Sequence, residues 1–314
     1  MKINKYSLGF IAGLTLLAGF LGVSSLVHAA GPTTVNLGTA EPFAILSGTG
    51  VANTSTSAIT GNVGVSPTTG ASITGLPCAE VTGTIYTVDA AGPACRVEDG
   101  PLLVTAKNDL TAAFIDAAGR TPVTTVPTEL GGTTKIAGVY DSASTTFGIT
   151  AGAGALVLDG QGDSSSVFIF EMNATGTGLT VGPGSTVSLV NGAQACNVFW
   201  RVDTAAIDTT AVFKGNILAL TSITVANGAN IEGRLLARNG NVTLISDTIT
   251  RPTCSATTGG GGGGTTTTTN TTPGLPDTGL APEDKNPIAW NVIAPASIAL
   301  VLASVYLVQK RRTR

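Results

Sequence analysis

Between residues 35 and 252 apolar and polar positions alternate with a period of two, and Gly, Asn or Pro breaks each run after a few residues. That pattern predicts short β-strands separated by turns. Within it a three-residue signature returns, in the order small, aliphatic, threonine. It reads Ala58-Ile59-Thr60, Ser72-Ile73-Thr74, Gly148-Ile149-Thr150, Gly178-Leu179-Thr180, Ser222-Ile223-Thr224 and Asn241-Val242-Thr243. Ala206-Ile207-Asp208 fits the same slot with aspartate in place of threonine. From Gly178 the signature advances by 28, 16 and 19 residues, and the shorter steps suit a coil of three short strands and three corners. A second signature, FKGNILA from Phe213 and IEGRLLA from Ile231, advances 18 residues alongside it. Two signatures moving together predict stacked coils, a mostly β fold of the solenoid class.

In each triplet the aliphatic residue points inward and its neighbours point outward. Coils about 4.7–4.9 Å apart then align the outward residues into a ladder. The expected face comprises Thr60, Ser72, Thr74, Thr150, Thr180, Asp208, Ser222, Thr224, Asn241 and Thr243. Any one of these threonines is explained by the strand preference of a β-branched residue. Six threonines at one repeating position ask for a ladder.

One segment has the other period. Leu103, Ala106, Leu110, Phe114 and Ala117 form a single stripe, which predicts a helix over residues 101–119. Asp99 is placed to cap it and Gly119 to end it. Such a helix can lie along the stack. Residues 76–100 read as a small cap, because a bare terminal coil exposes strand edges.

The ends carry different signals. Residues 1–30 hold Lys2 and Lys5, an apolar run and the small-residue exit Val27-His28-Ala29, the pattern of a secretory signal peptide. Residues 255–274 are a Gly- and Thr-rich linker with six consecutive glycines, which has nothing apolar to bury. LPDTG follows, spelled by Leu275, Pro276, Asp277, Thr278 and Gly279. Residues 288–308 are an uncharged apolar run long enough to span a bilayer. The basic tail of residues 309–314 is expected to stay cytoplasmic. The pentapeptide, the span and the tail, in that order, resemble a sortase-type cell-wall anchor. That resemblance implies that a sortase cuts between Thr278 and Gly279 and joins Thr278 to the cell wall; if no sortase acts, the span stays in the membrane as the anchor, and either way the body faces outward.

Composition narrows the function. Only 11% of the 314 residues are charged and 5% aromatic, and 41 are glycine, which suits a turn-rich β fold. Setting aside Lys2, Lys5, Lys285 and the four tail cations leaves nine basic residues. Setting aside Glu283 and Asp284 leaves seventeen acidic ones, so the exported body is about eight units negative. With no basic field, nucleic acid is not an expected partner.

Four cysteines in an exported body suggest two disulfides, and three pairings are possible. Cys78–Cys95, closing a local excursion, with Cys196–Cys254, tying the domain end to an inner strand, is the preferred one. The spacings contain no CxxC pair, which argues against zinc. The sole histidine, His28, leaves with the signal peptide, which removes His-based triads and metal sites. Asp159 and Asp163 lie in LDGQGDSS, which reads as a turn more readily than as a calcium loop. Asp203, Asp208 and Arg201 are the weak match to a lyase-type cluster. No metal, cofactor or catalytic group is expected. In NVFWRV, Phe199 and Trp200 point to opposite faces, and one of them is expected in the core.

The motifs AITGNVGVSP, SITG, GVY, LVLDGQGDSSSVFIFE, LVNGAQACNVFWRV, FKGNILA and IEGRLLA together resemble the microbial ice-binding protein family. The resemblance covers residues 35–252. It implies a discontinuous, triangular β-solenoid with a long helix alongside, in which one flat face adsorbs to the surface of an ice crystal. The alternative on the same scaffold is a surface adhesin for glycans or a partner cell. A purely structural wall protein is a third reading, and an enzyme is the least supported class.

Overall fold

The computed structural model describes residues 31–172 and 178–255. They are mostly β, with one long helix, Gly100–Ala118. The leader, LPDTG and residues 288–308 lie outside the described residues. Among the described residues no helix is long and apolar enough to cross a membrane.

The strand pairs are parallel. The chain visits three sides in turn. It runs along Val198–Val202 on the first side and Thr204–Ile207 on the second. Val212–Ala219 then starts on the third side and ends back on the first. Val212–Ala219 and Asn230–Ala237 pair residue for residue across that bend. Their glycines make the bend possible. Gly215 has φ +116°, and a Cβ on Gly233 would meet the Gly215 carbonyl oxygen at 1.9 Å. The second sequence signature is therefore a corner built on glycine, where backbones approach too closely for a side chain.

The stack does not follow sequence order. On the first side the strands run Val97–Glu98, Ile85–Thr87, Asn62–Val65, Phe43–Ser47, Asn230–Ala237, Val212–Ala219, Val198–Val202, Phe168–Glu171, Gly138–Ser142, Val123–Val126. The first coil thus rests on the last, with Ile45 paired to Leu235 and Ile59 to Ile249. The helix carries the chain from one end of the stack to the other. Its 19 residues cover about 28 Å, or about six strand spacings. Asp99 caps it by accepting from the Leu102 amide at 2.9 Å, and Gly119 follows its last residue.

There are two cores. Inside the stack, Tyr140, Phe170 and Trp200 occupy matching places on successive coils. Phe170 lies 4.1 Å from Trp200 and 5.3 Å from Tyr140, centroid to centroid. Outside the first side, the helix buries Leu103, Ala106, Leu110, Ala113, Phe114 and Ala117 against residues that include Phe43, Ile169, Phe199 and Leu236. Phe199 and Trp200 do alternate faces, and both are buried because this side is covered twice. Residues 76–100 add the short strands Val81–Thr82 and Ile85–Thr87 to the stack before Val97–Glu98 ends it. The disulfides are Cys78–Cys95 and Cys196–Cys254.

Candidate binding face

The second side is built from Phe147–Ile149, Gly178–Val181, Thr204–Ile207, Ile223–Val225, Asn241–Ile245, Gly50–Thr54 and Ile73–Thr74, in that spatial order. Phe147, Leu179, Ala205, Ile223, Val242, Val51 and Ile73 point inward in register. Ile149, Val181, Ile207, Val225 and Leu244 form a second inward column, and all five are buried. Between these columns one outward position recurs, occupied by Gly148, Thr180, Ala206, Thr224, Thr243, Ala52 and Thr74.

A flanking column carries Gly178, Thr204, Ser222, Asn241, Gly50 and Ser72, each one residue before the first inward position. The Asn241 Nδ2 donates to the Thr243 hydroxyl at 2.9 Å, tying the two columns together. The opposite flank holds Thr150, Gly182, Asp208 and Ala226 on the lower coils, and Ile245 and Thr54 on adjoining upper ones. Asp208 is the one charged residue in these three columns, and its Oδ1 accepts from the Thr209 amide at 2.7 Å.

The expected residues divide accordingly. Thr74, Thr180, Thr224 and Thr243 share the central column, and Ser72, Ser222 and Asn241 share its neighbour. Thr150 and Asp208 are displaced to the far flank. Ile149 and Ile207 fill the second inward column, not the first, so their triplets sit two residues out of phase. Ala206, not Asp208, therefore stands beside Thr224. Thr60 is not on this face at all. Its strand, Ala58–Thr60, lies on the third side between Thr248–Thr250 and Val81–Thr82, where Thr60 pairs with Thr250 and Thr82. Thr204, Ala52 and Thr54 were not anticipated. The inward residue following Thr204 is alanine, which hides the triplet, although Thr204-Ala205-Ala206-Ile207 still alternates.

The lower end of the face is closed by Glu129. It bridges to Gly148, accepts from the amides of Gly131 at 2.6 Å and Thr150 at 3.1 Å, and also accepts from the Thr150 hydroxyl. Burial works to raise its pKa, but these donors outweigh burial and hold it below the usual glutamate value. The Thr150 hydroxyl is thereby committed within the protein. The other carboxylates noted in the sequence do not converge. The Oδ1 of Asp159 accepts from Gln161 N and Asn191 Nδ2, both at 2.8 Å, and that of Asp163 from Ser165, as turn residues do. Arg201 lies over the Phe114 ring at 4.3 Å, under the helix, while Asp208 is on the second side.

The face can be compared with known proteins. Residues 45–250 match the family described as ice-binding-like. An ice-binding protein of Flavobacterium frigoris is 42% identical over 222 residues, covering 69% of this chain and 76% of that protein. One from a Colwellia species is 41% identical, covering 72% and 87%. A crystal structure of an ice-binding protein from an Antarctic biological consortium superimposes with a TM-score of 0.62 at 36% identity, over 71% of this chain and 93% of that one. Sequence and fold agree over the whole body that bears the threonine columns, and the chain belongs to the ice-binding-like family.

Proposed function

We propose that this protein adsorbs to ice through the second side, with the central column Thr180, Ala206, Thr224, Thr243, Ala52 and Thr74 as its axis. The in-register repetition of that column is the observation that carries the reading. Ice is a lattice, so its recognition calls for periodicity and rigidity and not for a group with a shifted pKa. Threonine offers a methyl and a hydroxyl on a stiff χ1. A rigid parallel ladder loses little conformational entropy on adsorption. A charge holds its own hydration shell and opposes the contact, and these columns carry one. That the relatives from Flavobacterium frigoris, the Colwellia species and the Antarctic consortium are ice-binding proteins supports the same ligand. Adsorption, not catalysis, is the activity.

The finer architecture we read as a discontinuous, three-sided β-solenoid, supported by parallel pairing on each side and by the out-of-sequence stacking. We read the body as extracellular and held at the cell surface by LPDTG, the apolar run of residues 288–308 and the basic tail, on sequence order alone.

The test is direct. A crystal held near its melting point in a solution of residues 31–254 is expected to facet and to show thermal hysteresis. Absence of faceting, hysteresis and recrystallisation inhibition together overturns the proposal. Anchoring is checked by mass spectrometry of wall-released protein from a sortase-bearing host, where a chain ending at Thr278 is expected.

A further inference from the structure

Where the first coil rests on the last, the corner between the second and third sides changes character. On the two coils directly below, this corner is filled by Ala211 and Ala229, both buried, and on the coil beneath those by Ser185, whose hydroxyl donates to the Ile149 carbonyl. At the junction it holds Asp247 and Ser57, with Asn53 close behind, all three buried. A hydrogen-bonded chain joins them, entered from Asp247 through its main-chain amide. The Asp247 carboxylate accepts from Ala229 N at 3.0 Å and Ile245 N at 2.7 Å. The Asp247 amide donates to Ser57 Oγ at 3.0 Å. Ser57 Oγ donates to Asn53 Oδ1 at 2.8 Å. Asn53 Nδ2 lies 2.7 Å from Glu80 Oε2, 2.7 Å from Ser55 O and 3.1 Å from Gly75 O. Glu80 Oε2 also accepts from Ser57 N at 2.9 Å.

Asn53 deserves comparison with its column. It pairs with Leu244, beyond which the inward residues are Val225, Ile207, Val181 and Ile149. An asparagine therefore replaces an aliphatic residue at the first coil across the junction. Apolar contacts tolerate sliding, whereas a slipped strand would leave these buried donors and acceptors unpaired, which burial makes costly. Coils joined by a short corner have their register set by the covalent chain. Asp247 and Ser57 are 190 residues apart and lack that constraint.

We propose that the chain Asp247–Ser57–Asn53–Glu80 is a positioning element that fixes the register of the coils bearing Ala52, Thr54, Ser72 and Thr74 on those bearing Thr224 and Thr243. It makes one continuous face from two stretches of sequence. The inference rests on the reading of that face as the ice-binding surface.

The test uses Asn53→Leu, which gives this coil the aliphatic residue found on the coils below, and Ser57→Ala, each in the full chain. Amide exchange is expected to accelerate at least tenfold in Gly50–Thr54 and Ile73–Thr74 and to stay unchanged in Thr204–Ile207. Thermal hysteresis falls several-fold. Adding Ala58→Cys with Thr248→Cys, an in-register pair on the third side, restores both exchange protection and hysteresis once oxidised. Unchanged exchange in the upper strands, or an equal acceleration in every strand without rescue by the cross-link, overturns the proposal. Should the wild-type chain lack ice activity, the reading of the face fails, while the exchange and cross-link results still decide the register lock. If Asn53→Leu does not fold, Ser57→Ala, which removes one hydroxyl, decides on the same readouts.

Discussion

Thr224 and Thr243 stand side by side on neighbouring coils, paired in register in the centre of the second side. Each has a counterpart of the same kind or smaller above and below it, so a bulky side chain at either place interrupts the column. The double substitution Thr224→Tyr, Thr243→Tyr is expected to reduce thermal hysteresis several-fold with little change in melting temperature. Thr60→Tyr, on the third side, is expected to leave hysteresis unchanged. Equal losses from both would move the binding surface off the second side.

Asp208 is the charge on the face, and its environment offers no opposing cation in the three columns. Asp208→Thr removes a tightly held hydration shell and extends the hydroxyl pattern beside Ala206. Hysteresis is expected to rise. The lost hydrogen bond to Thr209 N costs about 0.5–1.5 kcal/mol of stability, so activity and stability should move in opposite directions, as read by cryoscopy and denaturant melts.

Trp200 ties the interior together. It stacks on Phe170, lies edge-on to Phe147, and donates its Nε1 hydrogen to the Lys214 carbonyl at 3.1 Å. Trp200→Ala leaves a large cavity in a column with no solvent access. A loss of about 3–5 kcal/mol is expected in chemical denaturation. A loss below about 1 kcal/mol would mean that the coils close over the gap.

Lys107 reaches from the helix to the carbonyls of Ala237 and Arg238. Burial, with Arg238 nearby, lowers its pKa from 10.5 to about 8. The unfolded chain therefore binds more protons than the fold between those two values, and stability rises as pH climbs from about 8 toward 10.5. Melting temperatures across that window should increase in the wild type and flatten in Lys107→Met. A wild-type curve parallel to that of the variant would rule out this contribution.

Much of the architecture is legible in the sequence because local period and packing agree. The helix stripe from Leu103 to Ala117 is the buried one, and the glycine signatures at Phe213 and Ile231 mark paired strands. The face was harder to read. The third side uses the same small-aliphatic-threonine order as the second, so Thr60 on the third side looks the same as Thr74 on the second. Each strand of the face also has two inward positions, which lets Ile149 and Ile207 mimic the first. Which coil rests on which is a contact between distant residues, such as Asp247 and Ser57, and no spacing along the chain reports it.

The Cys196–Cys254 bond has a mechanical consequence. Cys196 lies in the Ala195–Asn197 turn, between Val187–Val190 on the third side and Val198–Val202 on the first. That corner borders the third and first sides and lies away from the second side, which bears the threonine columns. Gln194 clasps Ser255 there with both ends of its side-chain amide, Nε2 donating to the Ser255 carbonyl at 3.1 Å and Oε1 accepting from the Ser255 amide at 2.7 Å. Were the chain beyond Ser255 pulled, the force would pass into this covalent bond, and the strands of the second side would not be peeled one by one.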